Sequence, residues 1–407
     1  MRLSVIVGLA MSIGLIAGSR ISAQVTNEII LYVEEDLGIR RFFYPVDARV
    51  PFSNGELSDL SMVELRHEGV PVPATYTALS RWPDESIQWL AVNFNASIGP
   101  LETKTFNLER VMRERARVDA RRGLTVTDLG SDVQIGRLRF SKNASPLIRS
   151  VDFSGERIGI GTNGIRVTDW MGNIHGIEQG AVTFEVMRLG QQYVELRYEG
   201  RIELDLENSI PFELSIGIPN SKSWFRATIE IDDPDNLVSM VSFHTPLSFG
   251  EGPLAWDFGT DRWTYGALRG VGDVVRLTTD TDVEGDTEWG VAMTVDGETS
   301  LYEVSTGLST VSGWGHAQGP DHVVAFGIDH LGRDPGSYLM AVTGSGQLTL
   351  GRSVNNGVQN LTIYQHFVSV PVHIGAATSP MSMLNPLSVR CDDARYRETG
   401  LTPGSGR

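Results

Sequence analysis

The feature that most constrains this fold is a period-two alternation of apolar and polar residues, which recurs along most of the chain. In AVTFEVMRL the side chains of Val182, Phe184 and Val186 share one face, and FRATIEI (225–231) repeats the pattern. Such alternation is typical of antiparallel strands with one buried and one solvated face. Glycine, asparagine and aspartate separate the runs, as they do at turns. The sequence therefore predicts an all-β protein.

One arginine-rich, glycine-poor segment, NLERVMRERARVDARR (107–122), separates two strand-rich regions of unequal length. We predict a linker helix over 111–123, between a small β domain (24–110) and a larger one (124–385). The charges of the linker indicate either a solvated helix face or a patch that meets sugar carboxylates. The polar, glycine-containing end of the chain, 386–407, is typical of a disordered tail.

The first 23 residues have the composition of a targeting segment. They combine Arg2, a long apolar centre and small residues before Gln24. This order predicts a secretory signal peptide, because the apolar run is too short for a membrane anchor and Arg20 closes it. No later segment of the sequence is apolar enough to span a bilayer. We expect a secreted or periplasmic protein that does not act on a membrane.

The net charge limits which classes of partner the protein can bind, and the cysteine content limits what can stabilise its fold. The formal net charge is −16, and it becomes −18 without the first 23 residues, which carry two arginines and no acid. This sign argues against nucleic acid and anionic membranes as partners. It also works against acidic sugar polymers, unless arginines cluster locally. The single cysteine, Cys391, cannot form an internal disulfide, so apolar burial must supply the stability.

The stretch SRWPDESIQWLAVNF (80–94) predicts a β-hairpin. Pro83 and Asp84 suit the central positions of a tight turn between two strands. The second strand is apolar on both faces, which is typical of an internal strand, so Trp89 is expected in the core. Trp82, beside the turn, either packs against the protein or stacks on a sugar ring.

Three segments, including this hairpin, resemble the N-terminal half of the exo-acting rhamnogalacturonan lyase family, also called YetA-like. They are VPFSNGELSDL (50–60), GVPVPATYTALSRWPDESIQWLAVNF (69–94) and SKSWFRATIEIDDPDNLV (221–238). The resemblance covers residues from about 27 to 370. It implies a small RIFT-type β-barrel, then a large antiparallel β-sandwich, then a C-terminal α/α toroid.

Two features depart from that family. Fewer than 25 residues follow residue 385, so we expect no toroid in this chain, and a separately encoded toroid becomes a candidate partner. Glu85 stands where the turn of the family usually has glycine, and a left-handed backbone there would be strained.

The resemblance raises the question of β-elimination on a uronic acid, which needs a base, an acid and a group that neutralises the carboxylate. In LTIYQHFVSV the side chains of Tyr364 and His366 are two positions apart on a strand, so they share a face about 7 Å apart. They are the candidate catalytic pair. The alternative is two ordinary side chains on a polar outer face.

Aromatic and polar side chains in two other segments are candidates for sugar contact. TDWMGNIHGIEQG (168–180) brings Trp170 and His175 together in a glycine-flanked loop, and SWFRATIE offers Trp224 and Arg226. Exposed loops that combine an aromatic ring with polar groups often bind ligands. A satisfied surface loop and a strand-anchoring tryptophan are the alternatives.

The segment TTDTDVEGDTEWG (278–290) resembles the start of a calcium loop. Carboxylates stand at near-alternate positions: Asp280, Asp282, Glu284 and Asp286. The bidentate glutamate that such a loop needs at its twelfth position is replaced by Val291. Calcium is therefore the one cofactor that the sequence suggests, and a solvated hairpin tip is the alternative. No zinc motif, Walker loop, Rossmann fingerprint or GxSxG motif is present.

The leading hypothesis is a secreted carbohydrate-active protein that binds or helps process an acidic polysaccharide, such as pectic rhamnogalacturonan. The first alternative is a polysaccharide lyase acting by β-elimination on a uronic acid. The second is a structural envelope or assembly module that meets a partner chain.

Overall fold

The computed structural model describes residues 28–111, 123–153, 156–177, 182–220, 223–248, 250, 252–261, 264–305, 310–354, 357–368 and 378–402. The predicted signal peptide and residues 112–122 of the predicted linker helix lie outside these ranges. Nearly all of the described secondary structure is β, so the all-β prediction is confirmed.

Seven strands and a short 3-10 helix build the N-terminal region. The strands are β1 (Glu28–Glu34), β2 (Arg41–Pro51), β3 (Val63–His67), β4 (Val70–Pro71), β5 (Ala74–Arg81), β6 (Ile87–Ile98) and β7 (Thr103–Arg110). The 3-10 helix spans Leu60–Met62 and is capped by the side chain of Asp59, which accepts from the Ser61 amide. One apolar core lies among these strands and includes the buried side chains of Leu31, Phe52 and Phe94.

The N-terminal region is not the closed barrel that the resemblance implies. Strands β2, β6 and β5 form one three-stranded sheet, and β1, β7, β3 and β4 belong to another sheet. Among the described residues, no strand pairing joins the edges of these two sheets into a ring. The RIFT-type barrel is therefore corrected to two open sheets that share a core.

The hairpin predicted over residues 80–94 is present as β5 and β6, which pair antiparallel. Strand β6 is central in its sheet, and both of its faces are buried, including Trp89 and Leu90. Glu85 in the turn has a φ of 66°. Glu85 therefore adopts the left-handed backbone conformation, in which glutamate is strained, as expected from the sequence.

Residues 388–399 form a strand and a helix, in contrast to the disordered tail predicted over 386–407, of which residues 403–407 lie outside the described residues. Residues Ser388–Cys391 form β30, which pairs with β1, and Asp393–Thr399 form the helix α2. Leu387 and Cys391 are buried in the core of the N-terminal region. Residues 388–399 are therefore part of that domain, because they complete its five-stranded sheet.

The larger region contains twenty-two described strands between the two parts of the N-terminal domain. The first seven are β8 (Val126–Asp128), β9 (Asp132–Ile135), β10 (Leu138–Ser141), β11 (Ile148–Phe153), β12 (Glu156–Gly159), β13 (Gly164–Asp169) and β14 (Ile174–Gly176). The next eight are β15 (Val182–Leu189), β16 (Tyr193–Glu203), β17 (Ser209–Pro219), β18 (Trp224–Asp233), β19 (Val238–Pro246), β20 (Leu254–Thr260), β21 (Thr264–Leu268) and β22 (Val274–Thr281). The last seven are β23 (Thr287–Val295), β24 (Glu298–Val304), β25 (Val311–Gln318), β26 (Val323–Ile328), β27 (Gly336–Thr343), β28 (Gln347–Ser353) and β29 (Gly357–Val368).

These strands form three antiparallel sheets. The nine-stranded sheet has the order β15-β16-β17-β18-β29-β26-β25-β20-β21, and the eight-stranded sheet has the order β14-β13-β19-β28-β27-β22-β23-β24. Strands β8 to β12 form the third sheet. One continuous core unites them and includes the fully buried side chains of Phe225, Phe243 and Trp256. Burying each such aromatic side chain contributes about 1.5–3 kcal/mol.

A short helix, α1 (Thr378–Leu384), packs on strands β25, β26 and β29 of the nine-stranded sheet. The two core regions also meet directly: the Asn95 side chain donates to the Asn220 carbonyl at 2.6 Å, and the Gln192 side chain donates to the Pro73 carbonyl at 3.1 Å. No helix within the described ranges has both the length and the apolar character needed to cross a bilayer.

Candidate ligand cleft

A cleft of about 880 Å³ opens at one end of the sandwich, beside α1. Three connections bound it: the β22–β23 hairpin, the residues before and within the start of β25, and the loop between β26 and β27. Helix α1 and the side chain of Leu37 from the N-terminal domain complete the wall. Because loops at the ends of a rigid sandwich tolerate sequence change, such positions commonly hold binding sites.

The polar lining of the cleft is acidic. Asp286 and Glu288 come from the β22–β23 hairpin, and Asp329, His330 and Arg333 come from the β26–β27 loop. His330 is half exposed, and its Nε2 lies 3.7 Å from Asp329 Oδ1. Three carboxylates therefore face one guanidinium, which gives the cleft a negative local field at neutral pH.

Trp314 contributes an indole to the lining and is 6% exposed. Gly259 makes room for it, because a Cβ added there would lie 2.3 Å from the indole ring. Below it, the buried His316 has its Nδ1 2.9 Å from Asp257 Oδ1, and the His316 and Trp314 rings pack edge to face at 5.7 Å. The indole is therefore held rigidly at the edge of the cleft.

The structure brings four of the predicted site residues together on the nine-stranded sheet. His366 lies opposite Trp224, and Tyr364 lies opposite Arg226, in the β18–β29 ladder. The Trp224 and Tyr364 rings are 6.1 Å apart.

This cluster is unsuited to proton transfer from Tyr364. The phenol is only 4% exposed and packs against Met383 of α1. Burial, and then the nearby Asp329 carboxylate, raise the pKa of Tyr364 well above its ordinary value. A phenol that ionises so reluctantly and has so little access to solvent is poorly placed to act as a base on a polymer.

Residues 168–177 of the predicted 168–180 loop lie at the β13–β14 hairpin, and residues 178–180 lie outside the described residues. Trp170 is 72% exposed there, and His175 Nε2 lies 3.0 Å from Asp169 Oδ2. Asp169 also accepts from the amides of Met171 and Asn173. Hydrogen bonding, first from His175, holds the pKa of Asp169 well below its usual range. Asp169 thus organises the hairpin turn, and Trp170 projects from it without taking part in the cleft lining.

Trp82 is partly buried, and its indole Nε1 donates to the Phe52 carbonyl at 2.9 Å. This contact supports the packing alternative for Trp82.

The carboxylates of the predicted calcium loop divide into two groups. Asp282, Glu284 and Asp286 are exposed at the hairpin tip, and an oxygen of each lies within 4.8 Å of the others. Asp280 instead lies on β22 and accepts a hydrogen bond from the Ser337 hydroxyl at 2.9 Å. The tip has carboxylate oxygens, the ligand type that calcium prefers. However, Asp282 already accepts from two amides of its own turn.

Sequence reasoning missed the cleft and Trp314. The cleft joins residues from five parts of the chain, and no local pattern marks such a junction. The available signal was SGWGH (312–316), where glycines on both sides of a tryptophan indicate that neighbouring backbone approaches this strand closely.

No protein-family model matches the chain, and no curated protein matches it in sequence. Solved structures do match. One is a protein in glycosyl hydrolase family 38 from Enterococcus faecalis, with a TM-score of 0.56 and 10% identity over 90% of this chain and 47% of that chain. Another is an alpha-mannosidase from Enterococcus faecalis V583, with a TM-score of 0.52 and 10% identity over 90% of this chain and 46% of that chain.

The class that fold and comparisons define is an all-β architecture shared with parts of longer solved proteins. This chain spans about half the length of each of the two. At 10% identity, the likeness shows the fold alone. No match supports the resemblance to rhamnogalacturonan lyases, which therefore remains a hypothesis about function.

Proposed function

We propose that this chain is a carbohydrate-active protein that binds a saccharide in the cleft beside α1. The observation that carries the proposal is a cleft whose lining combines carboxylates from two loops with the accessible apolar side chains of Leu37, Met381 and Leu384. Apolar side chains contact the apolar faces of sugars, and carboxylates accept from sugar hydroxyls. The fold shared with a glycosyl hydrolase family 38 protein and an alpha-mannosidase supports the same broad class.

The local charge bears on which saccharide fits. Asp286, Glu288 and Asp329 outnumber Arg333 in the lining, so a uronate would meet repulsion unless a cation intervened. A neutral saccharide avoids this cost. An acidic polysaccharide remains in the proposal as a calcium-dependent ligand, with the cation held at the Asp282–Asp286 hairpin tip.

Calorimetric titration of mannobiose and of digalacturonate, each with and without added calcium chloride, tests the proposal. We expect mannobiose to bind without calcium, and digalacturonate to bind only with it. Glu288→Gln should weaken binding about 10-fold, which corresponds to about 1.4 kcal/mol. Glu298→Gln, on the exposed strand β24, is the matched control and should leave the affinity unchanged. Absence of binding by both sugars under all conditions would refute the saccharide proposal.

The assembly module is the second candidate, because the chain spans about half the length of the solved proteins that share its fold. In this proposal the module meets a separately encoded partner chain. Co-purification from the native host, followed by identification of a stoichiometric second chain, is the test. The lyase alternative predicts an unsaturated, ultraviolet-absorbing product from rhamnogalacturonan that Tyr364→Phe abolishes, and the burial of Tyr364 weighs against it.

A further inference from the structure

One wall of the cleft is organised by a carboxylate of the N-terminal domain. Glu35 is 3% exposed, and its two oxygens accept from the amides of Leu37 at 3.3 Å, Ile39 at 3.0 Å and Leu101 at 3.1 Å. Burial raises the pKa of Glu35, but these amides and Arg41 together lower it below its ordinary value. The carboxylate is therefore ionised, and it fixes the turn that presents Leu37 to the cleft.

Arg41 connects this carboxylate to α1. Its Nε and Nη2 lie 3.3 and 3.2 Å from Glu35 Oε1. Its Nη1 donates to the Ser382 carbonyl at 3.1 Å, and its Nη2 donates to the Asn385 carbonyl at 3.1 Å. The side chains of Arg41 and Glu35 are 2% and 0% exposed. The hydroxyl of Tyr44 also donates to the Ser382 carbonyl.

Helix α1 needs such an external partner. It has seven residues and no basic side chain in its last turn, and helices this short are not stable by themselves. Carbonyls at the C-terminal end of a helix lack intrahelical donors and carry partial negative charge. Arg41 supplies both the donors and the positive charge from a different domain. The face of α1 fixed in this way places Met381 and Leu384 in the cleft lining.

We propose that Glu35 and Arg41 are positioning residues for the cleft. The pair sets the wall formed by Leu37, Met381 and Leu384, so the ligand site is shared between the N-terminal domain and the sandwich. The effect of the pair on ligand binding rests on the proposed function. The effect of the pair on the stability of α1 can be measured without any ligand.

The first experiment measures hydrogen exchange of the α1 amides in the full chain. Arg41→Gln should accelerate exchange in α1 at least about 10-fold, because the end of the helix loses its donors. The matched control is Arg390→Gln, which breaks the exposed Arg390–Glu34 ion pair of the same domain, 3.0 Å long, and should leave α1 unchanged. If Arg41→Gln does not fold, Arg41→Lys serves, because lysine keeps the charge but lacks the fork that spans both carbonyls. Unchanged protection of α1 in the variant that folds would overturn the inference.

The second experiment is a double-mutant cycle on affinity for whichever probe, mannobiose or digalacturonate with calcium, binds the parent protein. Arg41→Gln and Leu384→Ala should each weaken binding about 10-fold, and the double variant should lose little more than either, because both act through the same wall. Fully additive losses, about 100-fold, would overturn the positioning role. If neither probe binds the parent protein, the proposed function fails, and the exchange experiment alone decides whether the pair fixes α1.

Discussion

Arg395 in α2 donates from Nε to the carbonyl of Pro51 and from Nη2 to the carboxylate of Glu56, both at 2.7 Å. Its guanidinium also lies over the ring of Phe52, 4.8 Å from the centroid. These contacts join the last helix to the second strand of the chain, so the C-terminal segment is held by specific buried interactions.

Arg395→Ala should therefore lower the free energy of unfolding by about 2–4 kcal/mol, because it leaves a buried carbonyl and a partly buried carboxylate without their donor. Urea unfolding followed by circular dichroism measures this loss. Arg397→Ala, on the exposed side of the same helix, should change stability by less than about 0.5 kcal/mol. Equal effects of the two substitutions would show that α2 is not anchored in this way.

Glu85→Gly should stabilise the protein. Glu85 has a φ of 66°, and the left-handed conformation costs a non-glycine residue about 1–2 kcal/mol. Part of that gain is offset by the greater chain entropy of glycine in the unfolded state. We expect a net increase of about 0.5–1 kcal/mol in the free energy of unfolding, measured by urea titration.

Asp84→Gly in the same turn is the contrasting variant and should destabilise, because Asp84 accepts from the amide and hydroxyl of Ser86. A loss of stability in Glu85→Gly would contradict the strain argument.

Gly344→Ala should be strongly destabilising. A Cβ at Gly344 would lie 1.9 Å from the carbonyl oxygen of Gly270, a backbone atom that cannot rotate away. We expect a loss of at least about 2 kcal/mol. Gly272→Ala is the matched control, since nothing lies within 4 Å of an added Cβ there. Both are measured by thermal unfolding, and equal midpoints would rule out the clash.

His244 should make stability depend on pH. Burial, and then the charge of Arg166, lower the pKa of His244 from 6.5 to about 4. Between these values the unfolded chain binds more protons than the folded one. The contribution of His244 is therefore complete above pH 6.5 and is lost as the pH falls towards 4.

The size of this contribution is at most about 3 kcal/mol. In His244→Gln, the loss of stability between pH 7 and pH 4.5, measured by urea unfolding, should be smaller than in the parent protein. Parallel curves for parent and His244→Gln would contradict the assignment.

Alternation along single strands allowed the fold class and one hairpin to be predicted. The pattern of a strand is contained in its own residues. In β6, Trp89 and Leu90 are apolar side chains on opposite faces of the strand, which predicts that the strand is internal in its sheet. The strand and helix within residues 388–399 could not be predicted in the same way. Strand β30 has four residues and pairs with β1. Cys391 therefore lies opposite Leu31, although most of the sequence separates the two residues. A pattern this short carries almost no periodicity, and its partner is invisible in the local sequence.

For the candidate site too, features set by neighbouring residues could be predicted, whereas contacts between distant segments could not. The sequence correctly placed Tyr364 and His366 on one strand, since that follows from spacing alone. It could not reveal that α1 covers Tyr364, because which sheet face receives another layer depends on the tertiary fold. Trp314 was overlooked because its role depends on the β22–β23 hairpin and on α1, which are distant in sequence.

The pairing of β30 with β1 makes the whole sandwich an insertion within the N-terminal domain. During synthesis, the sheet that contains β1 lacks its edge strand β30 until almost four hundred residues have been translated. The sandwich, whose strands lie entirely between the two halves, can mature first. We expect an obligatory order of events in the nascent chain, in which the domain translated first is the one completed last.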